Sequence, residues 1–225
     1  MRRSAFVLVL LAPVAGILSS QRCLGGNPYG TSHFRVGGGI ARDTSNETYE
    51  IDFRYSTAGV FGIVNVGQKN WGAETFNDES AQLAATVGGA FPRDGSSRWS
   101  VCPMLSYTIV SGPDQAVNAY YYSEKAFSGA VSLGYLVLRS ASWDIVPTAT
   151  LTVGTTNPTL KEPSGYRSLA SYGNFCCGPR GFGNVSLGLG IVLNGSFTVL
   201  PSIAFPLDVA GETLYGLHFV IGGGT

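Results

Sequence analysis

The sequence predicts an all-β protein in which about ten antiparallel strands close into an up-and-down barrel. Three observations support this fold class: apolar and polar residues alternate with a period of two, short and long connections alternate along the chain, and 31 of the 225 residues are glycine. The alternation is clearest where Tyr49, Ile51 and Phe53 share one face of an extended segment and Glu50 and Asp52 share the other. A period of two is the signal of a β-strand. No stretch shows a sustained helical period, so the sequence predicts strands throughout.

Ten segments show this alternation, and each has about the length that a tilted strand needs to cross a bilayer. They are residues 32–42, 47–56, 59–68, 81–92, 98–110, 125–138, 144–154, 183–194, 196–206 and 213–223. A barrel of eight strands is the nearest alternative.

The connections between these segments differ in a regular way. Four are tight turns, at Thr57-Ala58, 93–96, 139–142 and Asn194-Gly195. The others are longer and polar, at 43–46, 69–80, 111–124, 155–182 and 207–212. Asn-Gly is the strongest short hairpin signal. Short turns on one side and long loops on the other are typical of transmembrane barrels, and this arrangement places both ends of the barrel on the short-turn side.

The chemistry of the two strand faces indicates a membrane. In a half-buried soluble strand the apolar face meets a core and the charges meet water, whereas a membrane barrel turns its apolar face to lipid and its polar face to the lumen. Aromatic residues on the apolar faces lie near strand ends, where interfacial girdles are expected. They are Tyr49, Tyr55, Trp99, Tyr107, Phe127, Tyr135, Phe197 and Phe205. We therefore expect a closed antiparallel transmembrane β-barrel.

The N-terminus has the pattern of a secretory signal peptide. Met-Arg-Arg is followed by an apolar run over residues 5–18 and a polar exit at 19–22, which is the order of regions that such a peptide shows. The run is too short to cross a bilayer as a helix. We expect a signal peptide at 1–20, cleaved between 16 and 21, and a single barrel domain at 21–225.

Five charged or titratable residues project into the predicted lumen by parity. They are Arg35, Glu50, Asp52, Arg54 and His218. With the first two strands paired as a hairpin, Gly37, Gly39 and Ala41 lie across from the three charged residues of the second strand. A ten-stranded barrel is narrow inside, so bulky charged side chains need small neighbours. Two interpretations remain: a network of salt bridges that fills the lumen, and a selectivity ring or ligand site within a pore.

The composition gives little support to catalysis or nucleic-acid binding. Without Arg2 and Arg3, 12 basic residues face 14 acidic ones, a net charge of −2, which lacks the basic excess of a nucleic-acid-binding protein. His33 and His218 are the only histidines, and neither stands in a pattern typical of a general base. We expect no enzyme activity, no cofactor and no nucleic-acid partner.

The four cysteines do not define a disulfide scaffold. Cys23 and Cys102 are isolated in the sequence, and Cys176 and Cys177 are adjacent. Four are too few to organise a chain of this size, and a metal site at the adjacent pair would need ligands from elsewhere. We expect no metal, and the sequence leaves the disulfide pairing open.

The signal peptide, the ten alternating segments and the asymmetry of turns and loops resemble the small outer-membrane β-barrel proteins of Gram-negative bacteria, the broad OmpA/OmpX-like barrel class. The resemblance covers 31–224 and implies a location in the cell outer membrane, in contact with its lipid, and we expect a monomer. We expect a structural or surface-interaction role, with extracellular loops presented to a partner. Loop 155–182 is the first candidate for that contact, because loops of this length are usually functional or disordered. A narrow channel for small solutes and a secreted lipocalin-like barrel that binds a small apolar ligand are the alternatives.

Overall fold

The computed structural model of the protein describes residues 22–25, 34–44, 46–57, 59–71, 79–92, 97–114, 121–161, 179–208 and 211–222. A short 3₁₀ turn, η1 (Arg22–Leu24), precedes eleven strand segments. The segments are β1 (Phe34–Arg42), β2 (Asn46–Thr57), β3 (Val60–Trp71), β4 (Glu79–Gly89), β5 (Trp99–Asp114), β6 (Tyr121–Tyr135), β7 (Leu138–Arg139), β8 (Trp143–Lys161), β9 (Arg180–Leu193), β10 (Phe197–Pro206) and β11 (Leu214–Ile221). Over these ranges, no helix has both the length and the apolar character to cross a membrane.

The strands form one closed antiparallel sheet. Strands that follow one another in the chain pair with each other, and β1 pairs with β11 to close the ring. The short β7 continues the line of β6 after Leu136 and Val137, and both segments pair with β8. The eleven segments therefore make ten barrel strands. This confirms the predicted up-and-down barrel and excludes the alternative of eight strands.

The hairpin between β9 and β10 has the predicted turn chemistry. Asn194 has φ +49° and Gly195 has φ +66°, the two left-handed residues that a type I′ turn requires. The Ser196 N–H donates to the Leu193 carbonyl at 3.1 Å and closes the turn. The turn predicted at 93–96 lies outside the residues that the structure describes.

The barrel is apolar on the outside and polar on the inside. Among the described residues, 35 large hydrophobic side chains are exposed, whereas nine hydrophobic residues are buried. On β2, Ile51 and Phe53 are 55% and 45% exposed, while Asp52 between them is 0% exposed. A lipocalin-like barrel would hold its apolar face inside, so that alternative is wrong.

Four neighbouring strands run further at the long-loop end than predicted. They are β5, β6, β8 and β9, with 16, 15, 19 and 14 residues, whereas a tilted strand crosses a bilayer with about 9–11 residues. The predicted loop 155–182 is wrong at both ends, because 155–161 belongs to β8 and 180–182 belongs to β9. The connections predicted at 69–80 and 111–124 are shortened in the same way. We call the long-loop ends of β5, β6, β8 and β9 the raised wall.

The raised wall begins where the outer face changes from apolar to polar. Leu151 and Val153 of β8 are exposed on the outer face. Thr155, Asn157 and Thr159 follow on the same face and are also exposed. The backbone pairing of β8 with β6 continues through this change. The strand β8 therefore extends beyond the apolar band, and for this reason a prediction from the hydrophobic pattern alone places its end too early.

Candidate functional site

Four of the five predicted lumenal residues form one connected group, which we call the charged cluster: Glu50, Asp52 and Arg54 of β2 and His218 of β11. The Arg54 Nε lies 2.5 Å from Asp52 Oδ2. The His218 Nε2 lies 2.5 Å from Asp52 Oδ1, and its Nδ1 lies 3.4 Å from Glu50 Oε1. Asn65 of β3 donates from Nδ2 to Glu50 Oε2 at 3.0 Å. The cluster thus joins three strands across the lumenal face.

His218 is the centre of this cluster. Each ring nitrogen faces a carboxylate, and a doubly protonated imidazole donates on both sides. In that state the cluster holds two acids and two cations. Asp52 faces both cations, Arg54 through Oδ2 and His218 through Oδ1. Arg54 Nη2 and His218 Nε2 lie 2.7 Å apart, and because a guanidinium only donates, this contact is a hydrogen bond only when Nε2 carries no proton. Buried charges are tolerable when they are paired in this way.

Glycines on β1 make room for the cluster. Gly37 lies in register with Asp52, and Gly39 lies in register with Glu50 on one side and His218 on the other. A Cβ at Gly39 would lie 2.5 Å from His218 Nδ1, and a Cβ at Gly37 would lie 2.8 Å from His218 Nε2. Neither position accepts a side chain without movement of the cluster. The predicted pairing of small with charged residues is found at both positions.

Arg35 faces the lumen beside this cluster. It is 4% exposed and lies in register with Arg54 of β2. Of the three small β1 residues predicted across from the charged residues of β2, Gly37 and Gly39 lie there, but the prediction for Ala41 is wrong because Ala41 pairs with Thr48. All five predicted residues therefore face the lumen, and four of them are in direct contact.

The wall across the lumen carries hydroxyl groups. The Thr86 and Ser106 side-chain oxygens lie 2.7 Å apart, as do those of Ser132 and Thr150. Across the described ranges, no three His, Cys, Asp or Glu side chains are grouped to hold a metal ion. The carboxylates of the charged cluster are occupied by Arg54 and by His218. This arrangement favours a structural charge network over an open ligand site.

The turn η1 lies inside the barrel at its short-turn end, a position that no pattern in the sequence predicts. Arg22 and Cys23 are each 1% exposed. The Cys23 N–H donates to Ser100 Oγ at 2.7 Å, and Ser132 Oγ donates to the Cys23 carbonyl at 2.5 Å. Side chains of β5 and β6 therefore hold the backbone of η1.

Glycines shape the seat of η1. A Cβ at Gly134 of β6 would collide with the backbone of η1, and a Cβ at Gly190 of β9 would lie 2.8 Å from Gly25 Cα. Gly25 has φ +71°, and a Cβ there would lie 2.7 Å from Leu200 Cδ1. Leu200 of β10 lies in register with His218. The residues that hold η1 thus adjoin the charged cluster.

A disulfide between Cys23 and Cys102 ties η1 to β5. The two Cα atoms are 5.8 Å apart, and 79 positions separate the residues in the sequence. This gives the pairing that the sequence left open, since cysteine spacing alone does not determine connectivity. In the chain-entropy model a cross-link over a loop of this length contributes about 4.5 kcal/mol.

Apolar side chains fill the remaining space at this end. Phe61 is 2% exposed and packs with Cys23, Cys102 and Ala90. Lumen-facing valines near the short-turn ends of three further strands are also buried: Val146, Val192 and Val220. Together with η1, these side chains occupy the short-turn end of the lumen.

Only the two ends of the predicted surface loop 155–182, residues 155–161 and 179–182, lie within the described residues. Its aromatic residues Tyr166, Tyr172 and Phe175 and the pair Cys176 and Cys177 lie outside the described residues. Phe182, predicted in the loop, lies in β9, and a Cβ at Gly154 of β8 would lie 2.7 Å from its Cζ. Phe182 therefore packs on the inner face of the raised wall.

No protein-family model matches the chain, and no curated protein sequence matches it. Solved structures do match. One is the translocator domain of the autotransporter NalP from Neisseria meningitidis, with 13% identity over 86% of this chain and 89% of that chain, at a TM-score of 0.40. Another is the N-terminal β-barrel domain of OprF from Pseudomonas aeruginosa, with 12% identity over 84% of this chain and 95% of that chain, at a TM-score of 0.33.

CdiB from Acinetobacter baumannii also matches, with 10% identity over 77% of this chain and a TM-score of 0.38. The chain spans 31% and 34% of the CdiB chains from Acinetobacter baumannii and Escherichia coli. These likenesses do not single out the OmpA/OmpX-like class. At such identities each is a likeness of fold and transfers no activity.

Proposed function

We propose that the protein is an outer-membrane β-barrel with a closed lumen, which acts as a membrane-embedded scaffold for a surface-interaction rim. The observation that carries this proposal is η1, seated across the short-turn end of the lumen and tied there by a disulfide. An exterior made of exposed aliphatic and aromatic side chains supports the membrane location, because soluble proteins rarely expose contiguous apolar patches of this extent.

The height of the apolar band supports the same location. Trp99 and Tyr107 are exposed on β5 and lie in register with Tyr135 and Phe127 of β6, so the aromatic positions of the two strands coincide. Eight residues of strand cover about 27 Å, or about 20 Å along the axis at a tilt of about 40°. Outer-membrane barrels have an apolar band about 25 Å tall between aromatic girdles.

The side chains and the turn that fill the lumen support the role of a scaffold over that of a channel. A channel needs a continuous polar passage, whereas here the short-turn end is filled by η1, the disulfide and buried apolar side chains. The charged cluster lies next to this end of the lumen, and its carboxylates face Arg54 and His218. We assign the interaction role to the raised wall, whose outer face is polar beyond the apolar band.

Fractionation tests the membrane location. We expect the protein to be extracted from membranes only with detergent, and its folded form to migrate faster in SDS than the boiled form, because a closed barrel has no strand edge at which to unfold. Recovery in the soluble fraction without detergent would contradict the proposal.

Planar bilayer recording tests the closed lumen. We expect the purified, oxidised protein to insert without a steady conductance. A large and stable conductance of the wild type would contradict the scaffold and favour the narrow channel.

A further inference from the structure

We propose that a small cavity at the short-turn end of the barrel binds a free α-amino acid group, with the ammonium of the ligand facing Asp144 and its carboxylate facing Arg139. The site is separate from the charged cluster and from the raised wall. It goes beyond the proposed scaffold, because it gives the other end of the barrel a ligand of its own. Only the assignment of this end to the periplasm rests on the proposed membrane location.

The cavity lies where the chain turns from β7 to β8, beside the turn from β9 to β10. Its volume is about 160 Å³, which is room for about five water molecules. Residues 139–142, the first two residues of β8, Val192 and Gly195 line it. The Asn194 N–H donates to the Ser142 carbonyl at 2.8 Å. The two turns that form the walls are therefore held against each other by a backbone hydrogen bond.

Asp144 lines the inner side of the cavity. Its side chain is 9% exposed, and it lies in register with the buried Val192. Over the residues that the structure describes, no N–H or O–H group donates a hydrogen bond to the Asp144 carboxylate. Its charge partner is Arg139, whose Nε lies 3.8 Å from Oδ2, beyond hydrogen-bond range. A buried carboxylate without a donor is costly, so Asp144 is an acceptor for an ammonium group that enters the cavity.

The rim of the cavity carries a cation and two hydroxyl groups. The Arg139 side chain is 54% exposed, and a guanidinium has five N–H donors for its partners. Ser140 and Ser142 are also exposed and line the cavity. A long ion pair with an exposed cation contributes little stability. The contact between Arg139 and Asp144 therefore leaves both groups able to bind a ligand.

One acid and one base in the same cavity favour a ligand with one charge of each sign. A simple amine would bring its charge close to Arg139, and a simple carboxylate would bring its charge close to Asp144. An α-amino acid carries its ammonium and its carboxylate on the same carbon, so each charge can face a partner of opposite sign. Both contacts are charge-assisted hydrogen bonds, which are stronger than neutral ones. The volume suits this group alone, and the rest of a larger ligand would lie outside the cavity.

The first experiment titrates the folded wild-type barrel in detergent at neutral pH with three related compounds and measures binding by saturation-transfer NMR. Alanine carries both charges, N-acetylalanine lacks the ammonium, and alaninamide lacks the carboxylate. We expect alanine to bind. Each of the other two should bind at least about tenfold more weakly, because each loses hydrogen bonds to a charged group.

Two variants separate the two contacts. Asp144→Asn and Arg139→Gln keep the approximate size of the side chain and remove its charge. Asp144→Asn should weaken the binding of alanine at least about tenfold without weakening that of N-acetylalanine. Arg139→Gln should weaken the binding of alanine without weakening that of alaninamide. Arg98→Gln is the matched control, because Arg98 is exposed at the same end of the barrel and does not line the cavity. It should bind alanine as the wild type does.

The heat-dependent shift in SDS mobility shows whether each variant is folded. A folded wild type that does not bind alanine, or that binds the three compounds equally, would overturn the amino acid site and leave the membrane scaffold intact. Equal affinity for alanine in Asp144→Asn and Arg98→Gln would also overturn it. Recovery of the protein without detergent would overturn the proposed function, and the same titration in buffer would still test the site. If Asp144→Asn does not fold, Arg139→Gln and the three compounds on the wild type decide the question.

Discussion

Replacement of Arg54 with alanine removes the cation that lies 2.5 Å from the carboxylate of Asp52. The Arg54 side chain is 12% exposed and that of Asp52 is 0% exposed, so the Asp52 carboxylate depends on neighbouring side chains, and not on bulk water, for its partners. We expect the free energy of unfolding to fall, because an acid stays buried with one partner fewer.

The magnitude follows from the partners that remain. Removal of one member of a buried ion pair costs about 3–5 kcal/mol. We expect the low end of this range for Arg54→Ala, because Asp52 keeps a second partner. In the wild-type structure His218 Nε2 lies 2.5 Å from Asp52 Oδ1. A loss of about 3 kcal/mol lowers the ratio of folded to unfolded protein by a factor of about 160.

Arg42→Ala is the matched control. Arg42 lies 3.3 Å from Glu47, but its side chain is 70% exposed, and exposed ion pairs contribute at most about 1 kcal/mol. Urea titration of barrels refolded into lipid vesicles, followed by tryptophan fluorescence, measures both variants. Equal losses for Arg54→Ala and Arg42→Ala would show that burial does not set the strength of the cluster. Addition of Asp52→Asn to Arg54→Ala should recover part of the loss, because it removes the uncompensated charge.

Three further outcomes are expected. Gly37→Ala should lower the free energy of unfolding by about 1–3 kcal/mol through overpacking. Gly62→Ala, whose Cβ would meet no atom closer than 3.9 Å, should change it by less than about 0.5 kcal/mol. Equal effects of the two variants in the same urea titration would contradict the described packing of the charged cluster. In the folded barrel, a dithiol followed by maleimide should not label Cys23 or Cys102, since both are at most 1% exposed; mass spectrometry that finds either one labelled before unfolding would show that the seat of η1 opens readily. Trypsin added to intact cells should cut at Arg167, between β8 and β9, and cleavage only after permeabilisation would reverse the predicted orientation.

Much of the barrel could be predicted from the alternation of side chains, because the outer and inner faces differ in polarity along every strand. Ile51 and Asp52 are adjacent in the chain and lie on opposite faces, as parity requires. The strand ends were less predictable. At Thr155 the outer face turns polar while backbone pairing with β6 continues, and a hydrophobic pattern carries no information about backbone hydrogen bonds outside the apolar band.

The charged cluster could be predicted in part from the sequence, whereas the position of η1 inside the barrel could not. Parity placed Asp52, Arg54 and His218 on the lumenal face, but the contact between β2 and β11 depends on closure of the ring through β1. The turn η1 is bonded to β5 through Cys23 and Cys102, and no local pattern links residues so far apart. A weak signal did exist: small or hydroxyl-bearing residues occur on the lumenal positions of β5 and β6 near their short-turn ends, where they leave room for η1.

The raised wall makes the rim of the barrel asymmetric. A cylinder of equal strands has the same profile from every direction in the plane of the bilayer. Here β8 has 19 residues, whereas β10, β11 and β1, on the other side of β9, have 10, 8 and 9. A partner that binds the raised wall can therefore approach the barrel from one side only. Such a contact would set the rotation of the barrel about its own axis, so that neighbouring copies held by one partner would all face the same way.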